Sequence, residues 1–226
     1  MAKTSDPKSR SRGKKVNVKT ARGRKISSTR WLRRQLNDPY VAEARRLGYR
    51  TRAAFKLIEI DEKYHLFKGA GIIVDLGAAP GGWCQVLRQI APGARIIAVD
   101  LQKMEPIAGV DFIAGDLLDD QVRKTILEKC AGGADAVISD MASAATGHRA
   151  TDHIRTMALA EAGLDFAIEV LKPGGLFLTK VLRGGSEGEL LDAMKQNFDK
   201  VRHIKPPSSR SDSRELFVLA TGYRGK

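Results

Sequence analysis

Cysteine is scarce in this chain: Cys84 and Cys130 are the only two in 226 residues, too few for a disulfide framework. Neither has a metal-ligand partner nearby, so no metal site is expected. Both read as structural thiols on helices in a reducing cytoplasm. His65, His148, His153 and His203 follow no ligand spacing and read as ordinary surface or loop residues. No apolar run approaches the ~20 residues of a membrane span, and the N-terminus lacks the apolar core of a secretion signal. A cytoplasmic protein without membrane contact is therefore expected. Acids are nearly missing from the first thirty positions, where eleven Lys and Arg face Asp6 alone, leaving 28 basic against 25 acidic groups elsewhere. That segment carries most of the net charge of +13. It also has too few apolar side chains to offset its ordering entropy. Residues 1–27 are expected to be a disordered basic arm that binds a polyanion.

What is present suits one folded domain, with 42% hydrophobic residues and a length adequate for a core. Residues 28–70 read as a basic helical part: an amphipathic turn at Trp31–Leu36, a helix from Pro39 to Leu47 closed by Gly48, and a third over 52–64 with Thr51 as its cap. From residue 71 strands and helices alternate. Strands are expected at 72–76, 95–99, 111–114, 135–139, 175–181, 200–204 and 215–221, with helices at 82–90, 119–130, 152–171 and 186–198. Such alternation implies a mainly parallel sheet covered on both faces. The last two strands are joined by PPSSRSDSR with no helix, so that pair should be antiparallel. The fold class is α/β and Rossmann-like, with seven strands and an antiparallel last strand, as in methyltransferases rather than dehydrogenases.

The segment IIVDLGAAPGGWCQVL, residues 72–87, reads as strand, glycine-rich turn and helix, the first unit of a nucleotide-binding sheet. Gly77, Ala79 and Gly82 fill the small positions of a dinucleotide fingerprint, but Pro80 stiffens a turn whose N–H groups a pyrophosphate would need. An acid followed by G-x-x-P-G-G fits S-adenosylmethionine better, since that cofactor has a ribose and a sulfonium but no phosphate. Ligands of open sheets sit at the carboxyl ends of strands. There stand Asp75 and its loop, Asp100 with Leu101, Asp116 with Leu117, Asp140, and Lys180. Asp100 can accept from ribose hydroxyls and Asp116 from an adenine amine; the alternative for each is to cap the next helix. Lys180 lies inside an apolar strand, which costs desolvation unless it has a partner or a task. Asp140 on the neighbouring strand is the natural partner.

RAAFKL (52–57), DLGAAPGGW (75–83), GVDFIAGD (109–116), ISDMA (138–142), LKPGG (171–175), TKV (179–181) and SRELF (213–217) together resemble the FtsJ (RrmJ) family of RNA 2′-O-ribose methyltransferases. The likeness is strongest to its bacterial ribosomal branch and runs from about Ser28 to Gly222. It implies a catalytic set at Lys56, Asp140, Lys180 and Glu215. Cofactor contacts are implied at Gly81, Trp83, Asp100, Asp116 and Asp140, within a loop that also offers Gly77, Pro80 and Gly82. The implied activity is methylation of the ribose 2′-hydroxyl of a uridine in large-subunit (23S) ribosomal RNA, in the assembled 50S subunit, by a monomer. One departure stands out: Ser143-Ala144 follow SDMA where bacterial members usually have Pro-Asn, so the substrate-side loop is expected to differ in shape.

The chemistry agrees with that set. Methyl transfer to a hydroxyl is an in-line displacement, for which positioning supplies much of the acceleration, and no metal is required. The hydroxyl must lose its proton during or after attack, so Lys180 acts either as base or as an anchor for the oxygen. Burial and a second cation favour a neutral lysine, whereas carboxylates favour the ammonium, and the sequence leaves that balance open. Transfer to tRNA or an mRNA cap, a catalytically silent ribosome-assembly factor, and a dehydrogenase are the alternatives. The four polar residues of the implied set argue for an enzyme.

Overall fold

The computed structural model describes residues 16–18, 23, 26–143, 146–184 and 187–225. Most of the expected arm, and Ala144 of the departing loop, lie outside them. Among the described residues seven helices, α1 (Ile26–Leu36), α2 (Pro39–Leu47), α3 (Ala54–Tyr64), α4 (Gly82–Ile90), α5 (Asp120–Lys129), α6 (Arg149–Val170) and α7 (Gly188–Asn197), accompany seven strands. These are β1 (Ile72–Leu76), β2 (Arg95–Asp100), β3 (Val110–Ala114), β4 (Ala134–Ser139), β5 (Leu171–Leu182), β6 (Phe198–Ile204) and β7 (Glu215–Tyr223). The sheet runs β3-β2-β1-β4-β5-β7-β6. β1 to β5 pair in parallel, and β7 lies antiparallel between β5 and β6.

Alternation along each strand divides the core in two. Val74, Leu76, Ile97, Val99 and Val181 face α5, α6 and α7. Ile73, Ile96, Ala98, Leu178 and Phe217 face the other way, under α3 and α4. Local signals set the helix ends. Asp38 caps α2 by accepting from the Tyr40 N–H at 3.1 Å, Pro39 takes the first helical position, and Gly48 closes the helix at φ +77°.

Several expectations need correction. Thr51 does not cap α3: its hydroxyl accepts from the Ala53 N–H at 2.8 Å, forming a tight turn just before a helix whose cap position is Ala53. α1 begins at Ile26, ahead of the expected Trp31, and β5 begins at Leu171, so LKPGG belongs to the strand. Cys130 lies just beyond α5 rather than on it. His153 is no surface residue; it is buried on α6 at 9% exposure, packed beside Gly184 just beyond β5. Within the expected arm, Val16 exchanges two hydrogen bonds with the Asn37 side chain, at 2.8 and 2.9 Å. No helix among the described residues is long and apolar enough to cross a membrane.

Candidate active site

β1 to β4 end at one edge of the sheet, and strand order reverses there between β1 and β4, the point at which open α/β sheets bind ligands. A crevice of about 300 Å³ opens at that edge. Gly77 forms its floor: it sits at φ +75°, and a Cβ there would lie 2.8 Å from the Met141 Cα, so no other residue fits without displacing backbone. Asp100 ends β2, accepting from the Ala79 N–H at 2.9 Å through Oδ2 and from the Gln102 N–H at 2.7 Å through Oδ1. Those bonds tie the glycine loop to β2, and each carboxylate oxygen retains a lone pair for a ligand hydroxyl. Asp116 does not cap α5; Asp119 does, accepting from Gln121 and Val122, while Asp116 accepts from Leu118 in its own turn.

Of the expected cofactor residues, Gly77, Asp100, Leu101, Asp116, Leu117 and Asp140 line this crevice; Pro80, Gly81, Gly82 and Trp83 do not. The Pro80 carbonyl accepts from Arg50 Nη1 at 2.9 Å, and the same guanidinium donates to the carbonyls of Glu105 and Pro106, clamping the loop from outside. Gly81, at φ +103°, has a backbone that L side chains rarely adopt, and a Cβ there would have to displace the tip of Ile107 at 2.7 Å. Gly82 packs beside Thr51. The Trp83 indole is in the core, 3% exposed, donating to the Ala53 carbonyl at 2.9 Å and packing on Phe217. It joins α4 to the start of α3, so any part it has in holding a ligand falls to its backbone.

Three carboxylates (Asp100, Asp116 and Asp140) line the crevice and, among the described residues, no Lys or Arg does. Such a wall repels the pyrophosphate of a dinucleotide and suits hydroxyls, amines and a positive centre. The residues present therefore fit a ribose-bearing cofactor with a positive centre, such as S-adenosylmethionine. No group of His, Cys, Asp and Glu among the described residues could hold a metal ion.

The four residues of the implied catalytic set converge beside the crevice. Asp140 follows β4, and Lys180 comes from the end of β5. β7, being antiparallel, brings its first residue, Glu215, to the edge where the parallel strands end. Register places Lys180 opposite Phe217 and Leu182 opposite Glu215, so Lys180 and Glu215 lie on the sheet face covered by α3, which supplies Lys56. Lys180 Nζ donates to the Asp140 carbonyl at 2.6 Å and lies 2.9 Å from Asp140 Oδ1. Lys56 Nζ lies 3.3 Å from Glu215 Oε2 and 3.8 Å from Asp140 Oδ1, over the Phe217 ring at 5.4 Å. Both lysines are buried. Beyond Lys56 and Glu215 opens a second cavity of about 380 Å³, walled by Arg34, Arg52 and Arg210. An acidic crevice and a basic cavity thus meet at one cluster of two cations and two anions.

The FtsJ-like methyltransferase family model matches residues 49–223. The chain belongs to that family. It is 55% identical to a ribosomal RNA large subunit methyltransferase E of Jannaschia sp., with 94% of this chain and 93% of that one covered. A protein of the same name from Ruegeria pomeroyi is also 55% identical, with 93% and 94% covered. Among solved structures, a Plasmodium falciparum protein described as a ribosomal RNA methyltransferase is 31% identical, with a TM-score of 0.71 over 79% of this chain and 100% of that one. Fibrillarin, in its complex with Nop5p, shares the fold at a TM-score of 0.51 and 18% identity, over 75% of this chain and 83% of that one.

The FtsJ-like chain holds two arrangements that sequence reasoning missed. Asp75 is not a crevice residue: it is fully buried in β1 and faces α4, where Cys84 Sγ donates to its Oδ2 at 3.2 Å. Burial pushes the Asp75 carboxyl up to about 7; the Cys84 bond works against that, and nearby Asp140 and Asp100 add to it. The same burial raises the Cys84 thiol, which makes it inert. The second arrangement joins Asp38, Arg52 and Arg210, whose only sequence signal was an Asp before Pro39.

Proposed function

We propose that this chain transfers a methyl group from S-adenosylmethionine to the ribose 2′-hydroxyl of a uridine in 23S ribosomal RNA, acting on the assembled large subunit. The observation that carries this reading is the Lys180–Asp140–Lys56–Glu215 cluster, set between a crevice lined by carboxylates and a cavity walled by arginines. When bound, S-adenosylmethionine supplies an electrophilic methyl group. Asp100 would hold its ribose, Asp116 its adenine amine, and Asp140 would face its positive centre. On the other side Arg34, Arg52 and Arg210 attract the RNA backbone, an interaction that gives salt-dependent affinity rather than sequence choice. Residues 1–27 add to that attraction.

Lys180 is the group that meets the acceptor hydroxyl. As the free amine, its ammonium proton first released to solvent, it fixes the oxygen and takes the proton that the hydroxyl sheds, while Asp140 holds the lysine in place through two contacts. Lys56 balances the charge of Glu215 and Asp140, so that neither carboxylate turns the lysine away from the hydroxyl.

The test is to treat large subunits from a strain lacking this protein with purified protein and S-adenosylmethionine, digest the RNA with nucleases, and identify the products by mass spectrometry. The expected product is 2′-O-methyluridine at one position. Methyl groups on bases, or methylation of tRNA but not of subunits, would overturn the proposal.

A further inference from the structure

Asp38 lies outside the catalytic cluster, yet it is a heavily engaged carboxylate at the start of α2. It is 9% exposed. Its Oδ1 caps α2, while Oδ2 accepts from Arg52 Nη1 and from Arg210 Nε and Nη2, the last two at 3.2 and 3.0 Å. Arg52 sits over the Tyr40 ring at 5.5 Å and donates its other terminal nitrogen to the Ser208 carbonyl. The Ser208 N–H in turn donates to Glu59 on α3 at 2.7 Å. Burial works against the Arg52 charge, and Asp38 acts in the opposite direction. One carboxylate therefore joins α2, the turn before α3 and the β6–β7 connection.

Two of those elements lead directly into the catalytic cluster. Lys56 lies one helical turn beyond Arg52, and Glu215 is the strand residue to which the 205–214 connection delivers the chain. The Lys56–Glu215 contact of 3.3 Å spans the same gap that Asp38 closes. We infer that Asp38 is a positioning residue for methyl transfer: by holding Arg52 and Arg210 together it fixes the β6–β7 connection against α3, and so sets the Lys56–Glu215 pair. This rests on the catalytic reading of that pair. Without the Asp38 charge, two guanidiniums a few ångströms apart repel each other, and the connection loses its tie to α2. The cofactor crevice shares no residue with this node.

Asp38→Asn removes the charge and keeps the helix cap, since Asn caps as well as Asp. The turnover number at saturating RNA should fall by roughly 10–10²-fold, the scale of a small misplacement of catalytic groups. S-adenosylmethionine should bind with unchanged affinity and full stoichiometry by calorimetry, which separates misplacement from a loss of folded protein. In a Glu215→Gln background Asp38→Asn should cost little more, because both changes act on the same pair. A turnover number within about twofold of the parent, or two losses that multiply in full, would overturn the inference. Where Asp38→Asn does not give folded protein, Arg210→Gln cuts the same tie from the half-exposed side and is judged by the same coupling to Glu215→Gln. If Glu215→Gln alone is fully active, the catalytic reading itself fails. If Glu215→Gln is slow but the Asp38 and Arg210 variants turn over normally, only the positioning role fails.

Discussion

Asp75 gives a prediction whose size follows from its surroundings. Its carboxyl is fully buried, with one oxygen served by a weak thiol donor and the other without a hydrogen-bond partner. Well below pH 3.8 the group is protonated in both folded and unfolded chains and contributes nothing to the pH dependence of stability. As pH rises from there to about 7 the unfolded chain ionises and the folded one does not, so the folded state holds the extra proton and stability falls. Above about 7 the loss is complete. A rise from 3.8 to about 7 corresponds to about 4 kcal/mol at ~1.4 kcal/mol per pH unit. Asp75→Asn keeps the shape and removes the ionisation. Its amide shifts stability by an amount that does not depend on pH, so the slope decides and not the offset. Urea denaturation of parent and variant, without cofactor, should show the variant gaining on the parent by about 2.5 kcal/mol between about pH 5 and about pH 8. A gap that stays constant over that range would refute the reasoning and show the carboxylate to be stabilised inside the fold.

Lys180→Ala should leave cofactor binding intact by calorimetry and slow methyl transfer by ~10²–10⁴-fold; near-parental turnover would remove the lysine from the mechanism. Lys180→Arg should be nearly as slow, because a guanidinium neither gives up its proton nor fits the space beside Asp140. Asp100→Ala should weaken S-adenosylmethionine binding by ~1.5–3 kcal/mol, and unchanged affinity would reduce Asp100 to a brace for the Ala79 loop. Deleting residues 1–15 removes six basic side chains. That should lower RNA affinity and flatten its salt dependence in filter-binding assays while sparing turnover at saturating RNA; an unchanged salt slope would assign the segment another task.

Much of this arrangement was legible in the chain. Apolar runs between helical segments marked the strands, because strands of a sheet covered on both faces read as nearly continuous hydrophobic stretches. The helixless β6–β7 connection announced an antiparallel pair. The insertion of β7 between β5 and β6 was not legible, since an apolar run marks a strand and not which neighbour it has. Lys180 stood out as a charge in an apolar strand, whereas Lys56 and Glu215 looked like ordinary helix and strand-end residues and were marked only by family resemblance. Asp38 escaped because its partners Arg52 and Arg210 are 14 and 172 residues away. Trp83 and Asp75 differ for the opposite reason: both sit in the glycine-loop motif, yet their side chains turn to the core, where α4 packs on β1 and on α3.

The placement of β7 also orders events during synthesis. Domains form from the N-terminus as the chain emerges, and here β1 to β5 with their helices can assemble a crevice before β7 exists. Until β7 is made, β5 and β6 each present a bare edge, and Lys56 has no Glu215 beside it. β7, which follows β5 and β6 in the chain, thus closes the sheet and brings Glu215 to Lys56 in one step.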